Sequence, residues 1–221
     1  QFLIKMGASI EGIGTTKLIV EGVSTLNSTK IEVIPDRIEA GTFLIAGALL
    51  GKLKLINLIP NHLDSLISKL REVGCNLKTT KNSITIYPVD QLNAVDMTTD
   101  VFPGFATDLQ AQWVALMATA NGSSIITDTV YHDRFSHVPE LNRFGANINV
   151  KKNTAFVRGV KSLVGAPVMS TDIRASASLI IAGLIAKGKT EISRIYHIDR
   201  GYEKIEEKFR ALGAKIYRES Q

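Results

Sequence analysis

The stretch of sequence that decides the fold is residues 171–187, TDIRASASLIIAGLIAK. Thr171 or Asp172 can cap the start of a helix, because their side-chain oxygens accept from the free backbone N–H groups of its first turn. The body is small or aliphatic on every side until Gly188, which is typical of a buried core helix. Arg174 is the exception, since the helix dipole disfavours a cation in the first turn. Its position predicts an anion in front of the helix.

Two other stretches share this pattern, residues 36–52 (DRIEAGTFLIAGALLGK) and 107–120 (TDLQAQWVALMATA). Each of the three stretches is followed by a β-branched stretch and then by a second helix that ends in a four-residue motif, and a fourth copy of this motif opens the chain. The motif reads KMGA, EVGC, RFGA and ALGA, and its glycines are Gly7, Gly74, Gly145 and Gly213. These glycines are 67, 71 and 68 residues apart. The chain is therefore predicted to contain a unit of about 68 residues that is repeated three times.

The predicted unit is an α/β unit that cannot bury its own apolar helix. Three units can do so if the apolar helices lie inside and the strands wrap around them, which inverts the usual barrel. The second helices are expected at residues 62–73, 139–145 and 202–212. Strands are expected at residues 9–11, 17–21, 29–34, 53–58, 75–78, 83–87, 94–98, 124–129, 147–151, 155–158, 167–169, 190–195 and 214–218. The last unit lacks further strands, and residues 1–30 are expected to supply them and close the ring.

Composition limits the classes of protein to which the chain can belong. Apolar residues make up 45% of its 221 residues, which is ample for a core. A single cysteine excludes a disulfide framework and indicates a reducing compartment, the cytoplasm. The net charge of +5 favours anionic ligands, without a basic stripe that would indicate nucleic acid. No stretch has the length of a membrane span, and the histidines and cysteine lack metal-ligand spacing.

Four motifs carry a resemblance to a known family. They are TDLQAQ at 107–112, DRFSHVPEL at 133–141, DIRASASL at 172–179 and YHIDRGYE at 196–203. They resemble the C-terminal half of the UDP-N-acetylglucosamine 1-carboxyvinyltransferases, which are enolpyruvyl transferases of peptidoglycan synthesis, and the resemblance covers essentially the whole chain. The chain also begins within a helical pattern, FLIKMG, so we interpret it as a piece of a longer protein.

The resemblance implies an enzyme of two inside-out α/β barrels, each with a three-fold internal repeat and with the active site in the cleft between them. Residues 31–221 would form one barrel, with repeats that start near residues 36, 107 and 171. Residues 1–30 would belong to the other domain of the intact enzyme, or could close this barrel in its absence. The partner of this chain would then be the N-terminal half of the same enzyme.

The implied reaction transfers the enolpyruvyl group of phosphoenolpyruvate to the 3-hydroxyl of UDP-N-acetylglucosamine, without a cofactor or metal. Asp108 matches the family aspartate at the sugar hydroxyl and is the implied base, although the sequence alone favours a helix N-cap. Arg174 and Arg200 match arginines around phosphoenolpyruvate, a role that suits a permanently charged, forked guanidinium. For Arg200 alone, a solvated surface ion pair would be the simpler interpretation.

The resemblance also assigns binding residues around the sugar nucleotide. Val130 and Tyr131 match positions that line its pocket, Arg134 is expected to brace their loop, and Asp172 to cap its helix and orient an arginine. The family's proton-donating cysteine lies in the other domain, so the chain alone is expected to be inactive. Two alternatives stay open, a shikimate-type enolpyruvyl transferase and a non-catalytic repeat module that binds anions or nucleic acid.

Several residues of reactive or aromatic type are expected to be structural. Cys75 occupies the alanine position of the glycine motif and should be a small buried residue. Trp113 and Met117 lie at helical spacing and are expected in the core. His137 and His197 are expected to brace loops.

Overall fold

The computed structural model describes residues 1–219, which form two compact units. The first unit, residues 1–35, contains a short helix, α1 (Phe2–Lys5), and an antiparallel hairpin of β1 (Ser9–Glu11) and β2 (Ile19–Glu21). The strand predicted at residues 29–34 is wrong, since this stretch pairs with no strand within residues 1–219. No residue of this unit is buried, so the unit has no core of its own.

The second unit begins at Asp36 and alternates helices with short strands. In chain order it comprises α2 (Arg37–Leu50), β3 (Leu53–Ile56), α3 (Asp64–Glu72), β4 (Asn76–Thr79), β5 (Ser83–Tyr87), β6 (Met97–Thr98), α4 (Gln110–Met117), β7 (Ser123–Thr127), α5 (Val138–Arg143), β8 (Asn147–Lys151), β9 (Thr154–Arg158), β10 (Pro167–Met169), α6 (Ile173–Ile185), β11 (Glu191–Ser193) and α7 (Ile205–Ala211). Short 3₁₀ helices occupy Pro60–Leu63, Thr107–Leu109 and Ile195–Arg200. The strand predicted at residues 214–218 is also wrong, because it pairs with no strand in the part of the chain that the structure describes.

The strands of the second unit form three separate sheets. One is antiparallel with the order β3-β5-β4, and one has the order β6-β7-β9-β8, in which only β6 and β7 are parallel. The third is the parallel pair of β10 and β11. The ring closure expected from the sequence is not seen, since no sheet within residues 1–219 closes on itself. The architecture is a mixed α/β fold.

The three apolar helices α2, α4 and α6 pack against one another in the core. Every residue of α4 is buried, and α2 and α6 are buried along most of their lengths. Close approach depends on small residues: a Cβ at Gly41 of α2 would lie 2.6 Å from Cδ1 of Leu109. The core helices predicted from the sequence are therefore confirmed. None of the helices within residues 1–219 has the length and apolarity needed to cross a membrane.

The four glycine motifs share one backbone geometry. Gly7, Gly74, Gly145 and Gly213 have φ angles of 101°, 109°, 85° and 98°. In each case the next residue donates its backbone N–H to the carbonyl five residues earlier, as Cys75 does to Leu70 at 2.9 Å. This left-handed turn satisfies the last carbonyls of a helix, and glycine adopts it without steric cost. Cys75 is buried at its motif position, as predicted, and burial raises the pKa of its thiol to about 11.

Candidate functional site

Asp108 lies at the centre of a charged cluster in front of two core helices. It belongs to the short helix that precedes α4, and its Oδ1 accepts from Nη1 of Arg134 at 2.5 Å. Its Oδ2 accepts from Nη2 of Arg174 at 3.3 Å, across 66 residues of sequence. The N-cap interpretation of Asp108 is wrong: the carboxylate caps no backbone N–H and binds the two arginines instead. The anion predicted in front of Arg174 is therefore found within the chain itself.

The two guanidinium groups control the charge of Asp108. Burial alone would raise the pKa of this carboxyl, but the hydrogen bond from Arg134 and the positive charges of Arg174 and Arg134 outweigh burial and hold the pKa below its usual range. The side chains are only partly covered, with 35% of Asp108 and 20% of Arg174 exposed. One carboxylate shared by two cations leaves a net positive charge, which suits an anionic ligand.

Asp172 holds the first turn of α6 and fixes the backbone of Arg174. Its Oδ1 accepts from the backbone N–H groups of Arg174 and Ala175 at 2.7 and 2.9 Å, so the predicted helix cap is confirmed. Its other oxygen accepts from the hydroxyl of Ser136 at 3.0 Å. Burial would raise the pKa of Asp172, but these hydrogen bonds lower it below its usual value. Asp172 therefore acts on Arg174 through the main chain and binds the loop that contains Arg134.

The loop after β7 presents Val130 and Tyr131 at the surface, where both side chains are exposed. The guanidinium of Arg134 lies 5.1 Å from the centre of the Tyr131 ring, within the range of a cation–π contact. Because the same guanidinium binds Asp108, Arg134 joins this loop to the charged cluster. The sequence-based expectation that Arg134 braces the loop agrees with these contacts.

Asp128 holds the backbone of this loop through hydrogen bonds. This role was not predicted from the sequence. It is fully buried, and its Oδ1 accepts from the backbone N–H groups of Val130 and Tyr131 at 3.0 and 2.8 Å. Its Oδ2 accepts from Oγ1 of Thr107 at 2.6 Å, one residue before Asp108. An aspartate that ends a strand and bonds to the backbone two and three residues later is a common turn, and this local signal could have identified it.

Arg200 lies apart from the cluster with an exposed side chain. It ends the short helix Ile195–Arg200, and its guanidinium makes no ion pair or hydrogen bond with any residue of the described chain. The segment that carries it nevertheless passes close to α6, because a Cβ at Gly201 would lie 2.6 Å from Cγ2 of Ile173. The structure thus brings together Asp108, Arg134 and Arg174, and leaves Arg200 unpaired on an adjacent segment.

The remaining reactive residues lie outside the cluster. Trp113 and Met117 are fully buried in α4, as predicted. His197 contacts the neighbouring Tyr196 ring at 4.3 Å between centroids. His137 is buried and stacks on Phe135 of the same loop, and its Nε2 has no hydrogen-bond partner among residues 1–219. The described chain contains no cluster of three or more histidine, cysteine or acidic residues placed to hold a metal.

Comparison with curated proteins and solved structures shows relatives of one kind. A protein of Chlorobium chlorochromatii (strain CaD3), named UDP-N-acetylglucosamine 1-carboxyvinyltransferase, is 54% identical over 219 residues, which are 99% of this chain and 52% of that protein. A protein of Bdellovibrio bacteriovorus with the same name is 55% identical over 220 residues, 99% of this chain and 53% of its own length. The chain therefore spans about half the length of the curated relatives it matches.

Solved structures share the fold. The enolpyruvyl transferase NikO from Streptomyces tendae superposes with a TM-score of 0.86 at 28% identity, over 97% of this chain and 52% of that one. The EPSP synthase from Acinetobacter baumannii gives 0.75 at 19% identity, over 100% and 54% of the two chains, and shows the fold alone. The sequence profile described as EPSP synthase (3-phosphoshikimate 1-carboxyvinyltransferase) matches residues 1–209. With this match over nearly its whole length, the chain belongs to the EPSP synthase family of enolpyruvyl transferases.

Proposed function

We propose that this chain is part of an enzyme that transfers the enolpyruvyl group of phosphoenolpyruvate to the 3-hydroxyl of UDP-N-acetylglucosamine, with release of phosphate. This reaction is the first committed step of peptidoglycan synthesis, and we assign the enzyme to the cytoplasm, which the presence of a single cysteine supports. The observation that carries the proposal is the cluster of Asp108, Arg134 and Arg174 in front of α4 and α6. The names of the relatives at about 54% identity support the choice of substrates.

The cluster supplies the groups that this chemistry needs. The sugar hydroxyl must lose a proton, and Asp108 is the carboxylate of the cluster that can accept it. The two arginines lower its pKa and so weaken it as a base, and its basicity rises when an anionic substrate takes over their charge. Phosphoenolpyruvate brings a carboxylate and a phosphate, and guanidinium groups bind both in a fork without ever losing their charge. A charge that develops as phosphate leaves would be stabilised by the same arginines. In the absence of a ligand, Asp108 partly neutralises them.

The exposed residues around the cluster are proposed to complete the site of this half. The Arg200 guanidinium has no partner within residues 1–219 and is therefore available to an anionic substrate. Val130 and Tyr131 present an exposed loop to which the sugar nucleotide can bind. The proton for the enol carbon is expected to come from the other half of the enzyme.

The domain organisation is also a proposal. We assign residues 31–221 to an inside-out barrel with three repeats that begin near residues 36, 107 and 171, and residues 1–30 to the other domain of the intact enzyme. The three mutually packed apolar helices and the four turns with the same hydrogen-bond pattern support the repeat. The absence of any buried side chain from residues 1–35 supports the assignment of this segment to a different core.

The test is phosphate release by the full-length protein in the presence of both substrates. We expect release that needs both substrates and that falls at least about 100-fold in kcat with Asp108→Asn, which keeps the shape and removes the base. Asp90→Asn is the matched control, since Asp90 is exposed and its carboxylate makes no hydrogen bond within residues 1–219. The 221-residue chain alone is expected to give no turnover. Release without UDP-N-acetylglucosamine, or an Asp108→Asn enzyme of normal rate, would contradict the proposal.

A shikimate-type transferase is the second candidate, because the matching family profile is described by that activity. The two candidates differ in the hydroxyl substrate. A substrate that binds only the folded protein raises its unfolding temperature by an amount that grows with the ratio of its concentration to its Kd. We expect UDP-N-acetylglucosamine to raise the unfolding temperature of the full-length protein and 3-phosphoshikimate to leave it unchanged, and the reverse result would select the second candidate.

A further inference from the structure

A fully buried polar network lies behind the charged cluster. The hydroxyl of Tyr202 lies 2.7 Å from Oγ1 of Thr42 on α2. Nε2 of Gln112, on α4, donates to Oγ1 of Thr42 at 3.0 Å and to the Tyr202 hydroxyl at 3.3 Å. All three residues are at most 1% exposed. Buried polar groups are costly unless they are paired, so this network fixes the tyrosine in one position between two core helices.

The ring of Tyr202 faces the guanidinium of Arg174. The distance from Cζ of Arg174 to the ring centre is 6.0 Å, at the outer limit of a cation–π contact. Gly201 permits this approach, because a side chain there would collide with Ile173, the residue before Arg174. The burial of the hydroxyl raises the pKa of Tyr202, so the ring stays neutral beside the cation.

Arg174 has few other restraints. Among residues 1–219, its guanidinium makes one ion pair, with the carboxylate of Asp108 at 3.3 Å, and it lies close enough to Tyr202 to lower the pKa of that side chain against the larger effect of burial. A long side chain with one polar contact loses considerable rotamer freedom when it must hold a single position. A rigid aromatic surface beside the guanidinium reduces the number of positions that the side chain can occupy.

We propose that Tyr202 is a positioning residue for Arg174, and that Thr42 and Gln112 hold its ring in place. The inference rests on the proposed function, in which Arg174 binds the anionic substrate. Tyr202 touches no substrate in this scheme and acts through the arginine. A purely structural tyrosine would contribute to stability alone, whereas a positioning residue also changes the affinity for phosphoenolpyruvate.

The experiment compares three variants of the full-length protein. Tyr202→Leu removes the ring, Tyr202→Phe keeps the ring and removes the hydroxyl, and Phe209→Leu is the matched control. Phe209 is buried to a similar degree and stacks on Phe43, with 4.7 Å between the ring centroids. For Tyr202→Leu we expect a rise of about tenfold in KM for phosphoenolpyruvate. We expect about threefold for Tyr202→Phe, and a KM for UDP-N-acetylglucosamine within about twofold of the wild-type value in every variant.

Binding of inorganic phosphate to the same proteins, measured by calorimetry, gives a readout that does not need turnover. Its Kd should rise in Tyr202→Leu and stay at the wild-type value in Phe209→Leu, although both variants lower the unfolding temperature. Equal KM and Kd values for Tyr202→Leu and Phe209→Leu would overturn the inference. A wild-type protein that binds phosphate through this arrangement without transferring the enolpyruvyl group would refute the proposed function and leave the positioning role intact.

Discussion

Lowering the pH from 7 to 5 should destabilise this protein through one histidine. His137 is 1% exposed, and its Nε2 has no hydrogen-bond partner within residues 1–219. Burial lowers its pKa from 6.5 to about 4, with the positive charge of Arg134 adding to the effect and the negative charge of Asp172 opposing it. Between these two values the unfolded chain binds a proton that the folded protein does not. The stabilising contribution is therefore complete above pH 6.5 and is lost as the pH falls towards 4.

The size of the effect follows from the difference in pKa. Each pH unit within this window costs about 1.4 kcal/mol, so that the step from pH 7 to 5 removes about 2 kcal/mol of unfolding free energy. Over the full window from pH 6.5 to 4 the loss cannot exceed about 3.4 kcal/mol. Asp108 and Asp172 have lowered pKa values in the folded protein, so their contribution to the unfolding free energy is lost mainly below pH 5. It persists until the pH falls to near the pKa of aspartate in the unfolded chain. The chosen window therefore isolates the histidine.

Urea denaturation at pH 7 and pH 5 measures the effect. The wild-type protein should lose about 2 kcal/mol between the two pH values, and His137→Leu, which cannot titrate, should lose close to nothing. His132→Leu is the control, since His132 is exposed and should retain the wild-type dependence. The readout is the difference in unfolding free energy between pH 7 and pH 5 for each protein. A lower unfolding free energy of His137→Leu at both pH values therefore does not affect the comparison. An equal loss in the wild type and in His137→Leu would refute the assignment.

Two further predictions concern the core. Gly159→Ala should cost at least about 2 kcal/mol of unfolding free energy, because the new Cβ would lie 1.7 Å from the carbonyl oxygen of Ala120. Gly22→Ala is the control, since a Cβ there meets no atom within 4 Å, and it should change the unfolding free energy by less than about 0.5 kcal/mol. Urea denaturation of both variants measures the two changes. Cys75 should resist iodoacetamide at pH 8 in the folded protein and react in urea, because its thiol is buried and its pKa is raised to about 11. Mass spectrometry measures the modification, and a native protein that is modified at Cys75 would contradict this prediction.

The parts of the fold that the sequence predicts correctly are those determined by local interactions. An apolar helix with an acidic cap is specified by residues within one or two turns, and Asp36 and Asp172 both cap as expected. The glycine motifs are equally local, since a positive φ favours glycine whatever surrounds it. The strands predicted at residues 29–34 and 214–218 fail because a strand depends on a partner, and a β-branched pattern does not indicate whether a partner is present.

The site was predictable in part, and Arg174 shows why. A cation in the first turn of a helix opposes the preference of its own element, and this conflict indicated a compensating anion, which is Asp108. Asp128 and Thr42 produce no such conflict. An aspartate in a turn and a threonine in a helix each satisfy their local surroundings, so nothing in the neighbouring sequence indicates their distant partners.

The same reasoning explains why the network of Tyr202 was missed. Its bond to Thr42 spans 160 residues and its bond to Gln112 spans 90, and all three side chains are ordinary at their own positions. A buried polar group shows its function only when its partner is known, because the energy lies in the pair. A charged residue at an unfavourable position, by contrast, indicates that an opposite charge lies nearby even when only its own sequence context is known. Sequence reasoning of this kind therefore identifies the residues that bind charge before it identifies those that position them.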